Sequence, residues 1–263
     1  MQNSRPIGVF DSGIGGLTVV KNLMQILPNE NIIYFGDIAR IPYGTKSRAT
    51  IQKFAAQTAK FLIEQEVKAI IIACNTISAL AKDIVQDIAK DIPVIDVISA
   101  GVSLVKNLNN IGVIATPATI NSNAYALQIH KNNPLAEVYS TSCGLVSMIE
   151  EGFVKGQIVE LVAKQYLDYF TDKNIEALIL GCTHYPIIKQ SISKILNVDL
   201  IDPSLQASQI LYDLLVDKKI LNTFKVEPEY RFYVTDIPVK FKSVGERFLQ
   251  TQMQYLEIVS LDS

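Results

Sequence analysis

The sequence predicts an α/β protein made of two pseudo-two-fold-related domains, each with a parallel sheet, and with the active site in the cleft between them. Three observations lead to this fold class. Short apolar runs alternate with helical patterns along the 263 residues, which is typical of parallel sheets covered by helices. The alternation starts again with similar residues near the middle of the chain. A hydrophobic fraction of 49% provides enough apolar side chains for packed cores.

The first half of the chain has the rhythm of repeated strand, helix and strand. Helices are predicted over residues 17–27 and 50–65, where apolar residues recur at helical spacing. The predicted strands are IGVF (7–10), NIIYFGD (31–37) and VKAIIIACNT (67–76). This order indicates a parallel sheet with helices on both faces.

The second half repeats the first at an offset near one hundred residues. The segment NNIGVIATPATI (109–120) resembles RPIGVFDSGIGG (5–16), and IEALILGCTH (175–184) aligns without gaps with VKAIIIACNT. A weaker similarity pairs LIDP (200–203) with VIDV (94–97). The period is too long for a solenoid and fits two small α/β units. Because similar surfaces commonly pair about a two-fold axis, we expect the copies to face each other.

Two of the three cysteines, Cys74 and Cys182, occupy equivalent places in this repeat. Each follows a buried strand, and in open α/β sheets ligands bind outside the carboxyl ends of the strands. We therefore expect one thiol on each wall of the cleft. A helix that begins just after each thiol should lower its pKa from a reference value of about 8.5. Cys143 is predicted to be a buried structural residue. Three cysteines are too few and too far apart for a disulfide framework, and their odd number leaves at least one thiol free.

The segment DSGIGGLT (11–18) follows the first strand and opens a helix. Its glycines would let backbone N–H groups approach an anion. The pattern also fits a tight turn in which Asp11 caps the helix. A third interpretation is a dinucleotide loop with Asp37 on the ribose, although the third glycine of that fingerprint is missing. Because Asp11 ends the first strand, a ligand role of this segment in the cleft is favoured.

Other polar segments have both structural and functional interpretations. The turn RIPYGTKS (40–47) contains a tyrosine that either packs in the loop or clamps a ligand. In MIEEGFVKG (148–156), two glutamates fit a solvated helix end. His130 is expected at the surface. No metal is predicted, because neither CxxC spacing nor a histidine-rich segment accompanies the cysteines.

Charge and hydropathy restrict the partners. The chain has 24 basic and 26 acidic residues and a net charge of -2, which argues against a nucleic-acid surface and against a polybasic membrane anchor. No run approaches the ~20 apolar residues of a membrane span. We expect a cytoplasmic protein with a small-molecule partner.

Four motifs in this order and spacing resemble glutamate racemase of the aspartate/glutamate racemase superfamily. They are VFDSGIGGLTV (9–19), IPYGTKS (41–47), ACNT (73–76) and GCTHYP (181–186), and the resemblance extends over about residues 7–209. It implies interconversion of L- and D-glutamate without any cofactor, pyridoxal phosphate and metal included, to supply D-glutamate for bacterial peptidoglycan. It also implies that Cys74 and Cys182 are the two catalytic acid/bases.

The resemblance implies further site residues and domain limits. Asp11 and His184 would assist the nearby thiols, together with Glu150 or Glu151, of which we favour Glu151. The first domain would comprise residues 1–97 plus 208–263, and the second residues 98–207. The residues implied in substrate binding are Asp11, Ser12, Tyr43, Gly44, Asn75, Thr76, Thr183 and His184.

Two other functions stay open at this point. An aspartate racemase would use the same two thiols on a shorter substrate. A nucleotide-binding module would use the glycine-rich turn and Asp37, with structural cysteines. The sequence does not fix the assembly, for which a homodimer is one expectation.

Overall fold

The computed structural model describes residues 4–224, 227–237, 239 and 241–261. The strands are β1 Ile7–Asp11, β2 Ile32–Gly36, β3 Ala69–Ile72, β4 Val94–Asp96, β5 Asn110–Ala115, β6 Glu137–Ser142, β7 Ala177–Gly181, β8 Asp199–Ile201, β9 Tyr230–Val234 and β10 Tyr255–Ile258. The helices are α1 Leu17–Ile26, α2 Arg48–Glu64, α3 Asn75–Ala89, α4 Val97–Leu104, α5 Pro117–Asn121, α6 Ala124–Asn132, α7 Val146–Glu150, α8 Gln157–Leu167, α9 Lys189–Ser193, α10 Pro203–Asp217 and α11 Phe241–Leu249.

The strands form two parallel sheets, as predicted. The first sheet has the order β10-β9-β2-β1-β3-β4 and the second the order β6-β5-β7-β8. The order β2-β1-β3-β4 in the first sheet corresponds strand for strand to the order of the second. The predicted fold class is therefore confirmed. β9 and β10 extend the first sheet beside β2, while the limits at residues 97 and 208 stay predictions.

The strand registers show how closely the two halves correspond. In the first sheet Ile7 pairs with Ala69, and in the second Ile111 pairs with Ala177. The weaker similarity between VIDV (94–97) and LIDP (200–203) also reflects equivalent strands. β4 pairs with β3 in the first sheet, and β8 pairs with β7 in the second. The tips that carry Cys74 and Cys182 therefore stand at matching places in the two sheets.

Apolar side chains fill both faces of the central strands. Alternate residues of β3 point to opposite faces, so that Ala69 and Ile71 join one buried cluster and Ile70 and Ile72 another. The first of these clusters also takes side chains from β7, such as Leu178. One core thus runs between the two sheets, and each sheet also has an outer core of its own.

A buried ion pair holds the chain that leads from α10 to β9. Nζ of Lys68 lies 2.6 Å from Oε2 of Glu30 and donates to the carbonyl of Ile220 at 2.9 Å. The other carboxylate oxygen of Glu30 accepts from the backbone N–H of Asn222.

Among the described residues, no helix has the length and apolar character that crossing a bilayer requires.

Candidate active site

A cavity of about 440 Å³ opens between the two sheets at the carboxyl ends of their strands. Both thiols reach it, one from each domain, together with every residue expected to bind substrate. The predicted residues that line it are Asp11, Ser12, Tyr43, Gly44, Cys74, Asn75, Thr76, Cys182, Thr183 and His184. The glutamate that lines it is Glu150.

Cys74 stands at the junction between β3 and α3. It is the N-terminal cap of α3, with its backbone still extended, and its Sγ donates to Oγ of Ser12 at 3.5 Å. Burial raises the pKa of this thiol to about 12, and the charge of Asp11 adds to the effect. The expectation that a helix N-terminus would lower this pKa is therefore wrong for Cys74, because desolvation of the thiolate outweighs the hydrogen bonds that favour it.

Cys182 has a different local structure. Its strand leads into a 3₁₀ helix, Tyr185–Ile188, rather than directly into an α-helix. Pro186, near the start of this turn, has no backbone N–H group. The polar contact of Cys182 is with Nδ1 of His184, 3.7 Å from Sγ. The two thiols thus occupy equivalent strand tips in unequal surroundings.

His184 connects Cys182 to a carboxylate. Its Nε2 lies 2.9 Å from Oε1 of Glu150, and the imidazole is almost fully buried. Burial disfavours the charged ring, but the hydrogen bonds and charges of Cys182 and Glu150 outweigh it and raise the pKa of His184 to about 10. At neutral pH the ring carries a positive charge beside Sγ of Cys182, where a thiolate would be paired.

The contact with His184 distinguishes the two glutamates. The sequence favours Glu151, whereas the residue that contacts His184 is Glu150, the last residue of α7. Glu151 is exposed and lines a neighbouring apolar cavity of about 270 Å³. Successive residues of a helical turn point in directions about 100° apart, which agrees with Glu150 lining the cavity of the two thiols while Glu151 does not.

The glycine-rich turn holds the carboxylate of Asp11 through two of its backbone N–H groups. The backbone N–H groups of Gly13 and Gly16 both donate to Oδ2 of Asp11 at 3.1 Å. Oδ1 of Asp11 is buried without a hydrogen-bond partner. Burial raises the pKa of this carboxyl, while the charge of His184 opposes the rise. These two N–H groups are therefore not available to a substrate carboxylate, and binding of an anion by the other N–H groups of the turn stays a prediction.

The same turn touches the opposite domain. A Cβ atom built on Gly15 would lie 2.2 Å from Oγ1 of Thr183 and 2.6 Å from Nδ1 of His184. Thr18 also reaches across, since its hydroxyl lies 3.4 Å from the carbonyl of Thr183. The glycine therefore allows the segment after β1 and the segment after β7 to come together.

Asp37 has a structural role. It is 1% exposed and forms an ion pair with Arg40 at 2.7 Å. The hydroxyls of Tyr43 and Thr235 donate to the same carboxylate. A ribose could not reach it in this arrangement, which removes the basis of the dinucleotide interpretation. These contacts of Asp37 hold the side chain of Tyr43 in place. The next residue, Gly44, contacts the second domain, where its carbonyl accepts from the N–H of Ala118 at 3.0 Å.

Thr116 is a cavity residue that sequence reasoning missed. Its hydroxyl lies 3.0 Å from Oγ1 of Thr76. The repeat held the signal, because aligning residues 109–120 with residues 5–16 places Thr116 opposite Ser12. Cys143 is buried as predicted, but it also lines the cavity with the loop that follows it. His130 is exposed, as expected.

Residues 7–209 match the Asp/Glu/Hydantoin racemase family. The chain belongs to this family. It is 50% identical over 262 residues to a glutamate racemase of Neisseria meningitidis, covering 98% of this chain and 97% of that protein. A glutamate racemase from Francisella tularensis, solved in complex with D-glutamate, superposes with a TM-score of 0.96 and 83% identity over 98% of both chains. The prediction of an amino-acid racemase is confirmed.

A more distant racemase shares the fold. The aspartate racemase of Picrophilus torridus superposes with a TM-score of 0.56 at 18% identity, over 80% of this chain and 94% of that one. At this identity the likeness concerns the architecture of the racemase and carries no information on substrate.

Proposed function

We propose that this racemase interconverts L- and D-glutamate by proton transfer between two cysteines, Cys74 and Cys182, on opposite sides of the α-carbon. The observation that carries the proposal is the presence of two thiols, at matching strand tips of a duplicated fold, on the walls of one cavity. Support for glutamate as the substrate comes from the full-length relatives named glutamate racemases and from the Francisella complex with D-glutamate.

Racemisation needs an acid and a base on opposite faces of one carbon atom. One cysteine enters as thiolate and removes the α-proton, and the other enters as thiol and donates a proton to the opposite face. The two exchange roles for the opposite enantiomer. Each thiol has a polar partner suited to this exchange, which is Ser12 for Cys74 and His184 for Cys182. No cofactor takes part in this scheme, so fixed donors and exact positioning must stabilise the carbanion.

The biological role that we propose follows from the product. D-glutamate is a component of bacterial peptidoglycan, and a cytoplasmic racemase would supply it from L-glutamate. The full-length likeness to bacterial glutamate racemases supports this role. Assembly as a homodimer stays a prediction.

Exchange of the α-proton with solvent tests the two-base scheme. The purified protein is incubated with L-glutamate in deuterated water under reducing conditions, and optical rotation and α-deuterium are followed together. We expect rotation to fall while deuterium accumulates mainly in D-glutamate. Equal early labelling of both enantiomers would instead indicate a single base. If only L-aspartate lost rotation in a parallel sample, the substrate assignment would be wrong.

The charge on Glu150 is expected to raise the pKa of His184. In the variant Glu150→Gln, the pKa of His184 should fall from about 10 toward 6.5, because the carboxylate no longer stabilises the imidazolium. We expect kcat to fall by about tenfold, below the 10² to 10⁴-fold that direct acid–base groups contribute. NMR titration of the ring protons measures the pKa directly, and the chain has only 2 histidines.

Glu151→Gln is the matched control, since it removes the same charge one residue later. Its His184 titration and kcat should stay close to those of the unmodified racemase. If Glu151→Gln moved the titration and Glu150→Gln did not, Glu151 would be the assisting residue after all.

A further inference from the structure

Tyr125 lies between the two thiol-bearing segments, although no motif in the sequence pointed to it. It belongs to α6 of the second domain, is 3% exposed, and packs with Ile98 and Ile179. Its hydroxyl donates to Oδ1 of Asn75 at 2.7 Å. Asn75 directly follows Cys74 in the first domain, so this hydrogen bond crosses from one domain to the other.

The ring of Tyr125 lies against the other segment. A Cβ atom on Gly181 would come within 3.0 Å of Cε2 of this ring, and Gly181 directly precedes Cys182. The absence of a side chain at Gly181 is what allows the approach. One aromatic side chain therefore contacts the residue after the first thiol and the residue before the second.

The hydroxyl also determines which end of the Asn75 amide faces the cavity. Burial raises the pKa of Tyr125 well above its usual value, and the charges of Asp96, Cys182 and Asp202 add to the effect, so the phenol keeps its proton. A buried O–H group without an acceptor is costly, and Oδ1 of Asn75 is the acceptor that this one has. Rotating the amide by 180° would remove that acceptor. The NH₂ group is thus the end left to donate to a ligand carboxylate.

We propose that Tyr125 is a positioning residue of the racemase, which orients the Asn75 amide to donate to the substrate and braces the two thiol-bearing segments against each other. The proposal rests on the proposed function, because it assigns Asn75 a donor role toward an amino-acid carboxylate. Asn75 is 4% exposed and lines the cavity. In this arrangement, loss of the Tyr125 hydroxyl weakens substrate binding through Asn75, the residue next to Cys74.

The variant Tyr125→Phe removes the hydroxyl and keeps the ring. We expect kcat/KM for glutamate to fall by about tenfold in both directions, mainly through KM, since the amide is then free to rotate. Tyr185→Phe is the matched control. Tyr185 is fully buried, does not line the cavity, and also donates a 2.7 Å hydrogen bond, to the carbonyl of Cys143. The control should lower the thermal midpoint similarly while kcat/KM stays within about twofold.

A double-mutant cycle with Asn75→Ala separates positioning from general stability. If Tyr125 acts through the amide, Tyr125→Phe causes no further loss of kcat/KM in the Asn75→Ala background. The same tenfold loss in that background, or unchanged kcat/KM in Tyr125→Phe alone, would overturn the proposal. A wild-type protein without activity on glutamate would instead overturn the proposed function, so the two failures are distinguishable.

Discussion

Cys74→Ser and Cys182→Ser are each expected to reduce racemisation of glutamate by about 10³-fold or more, because each removes one of two obligatory acid/bases. Serine keeps the shape of the side chain and a hydrogen-bonding group, with oxygen in place of the larger sulfur, but its hydroxyl is a much weaker acid and its alkoxide is not available at neutral pH. The chain should stay folded. Circular dichroism at the wavelength where the glutamate carboxylate absorbs would measure the rate of racemisation from L- to D-glutamate and from D- to L-glutamate.

A substrate that eliminates after proton loss separates the two thiols. With 3-chloroglutamate, one thiolate takes the α-proton and chloride leaves with the electron pair of the Cβ–Cl bond, so no second acid is needed. Each serine variant should therefore keep elimination activity toward one enantiomer and lose it toward the other, with opposite preferences. Loss of elimination toward both enantiomers in either variant would contradict the assignment of one thiol to each face.

Cys143→Ser is the control for this series. Cys143 is also buried and also borders the cavity, and its pKa is raised to about 12 by burial and by the charge of Cys182. The equivalent position in the first sheet, directly after β2, is Asp37 and not a cysteine. We expect this variant to racemise within a few-fold of the unmodified protein, which shows that the losses above depend on position and not on the number of thiols.

The duplication explains why so much of the architecture could be predicted. Buried parallel strands have continuous apolar sequences, and the polar residue that ends such a run marks the end of the strand. Cys74 and Cys182 were found in this way, and the register of the two sheets confirms their equivalence. Thr116 could have been found by the same alignment, which pairs it with Ser12.

The electrostatics of the site could not be predicted from these patterns. A helix N-terminus after Cys74 indicates a lower pKa, whereas burial beside Asp11 raises it. Burial and proximity to a charge depend on how the two domains close on each other, which no short motif contains. The choice between Glu150 and Glu151 has the same origin, since it depends on the rotation of a five-residue helix against His184.

Gly15→Ala is expected to lower kcat/KM by about 10²-fold, the cost of displacing a catalytic group by roughly 1 Å. The added Cβ atom would meet Oγ1 of Thr183 at 2.2 Å and the ring of His184 at 2.6 Å. Both side chains are buried, so they cannot swing into solvent. Relief requires the turn that holds Asp11 to move away from the segment that holds Cys182, which widens the site on the side of His184. Steady-state kinetics with both enantiomers would measure the loss.

Gly13→Ala provides the matched control in the same turn. A Cβ atom there would lie 3.6 Å from Cγ2 of Ile41, an ordinary van der Waals contact, and neither glycine has a backbone conformation reserved for glycine. We expect Gly13→Ala to keep kcat/KM within a few-fold. Comparable losses in the two variants would mean that the flexibility of the turn, and not its close approach to the opposite domain, limits the reaction. A loss confined to Gly15→Ala would support contact across the cleft as the feature that sets the geometry between Asp11, His184 and the two thiols.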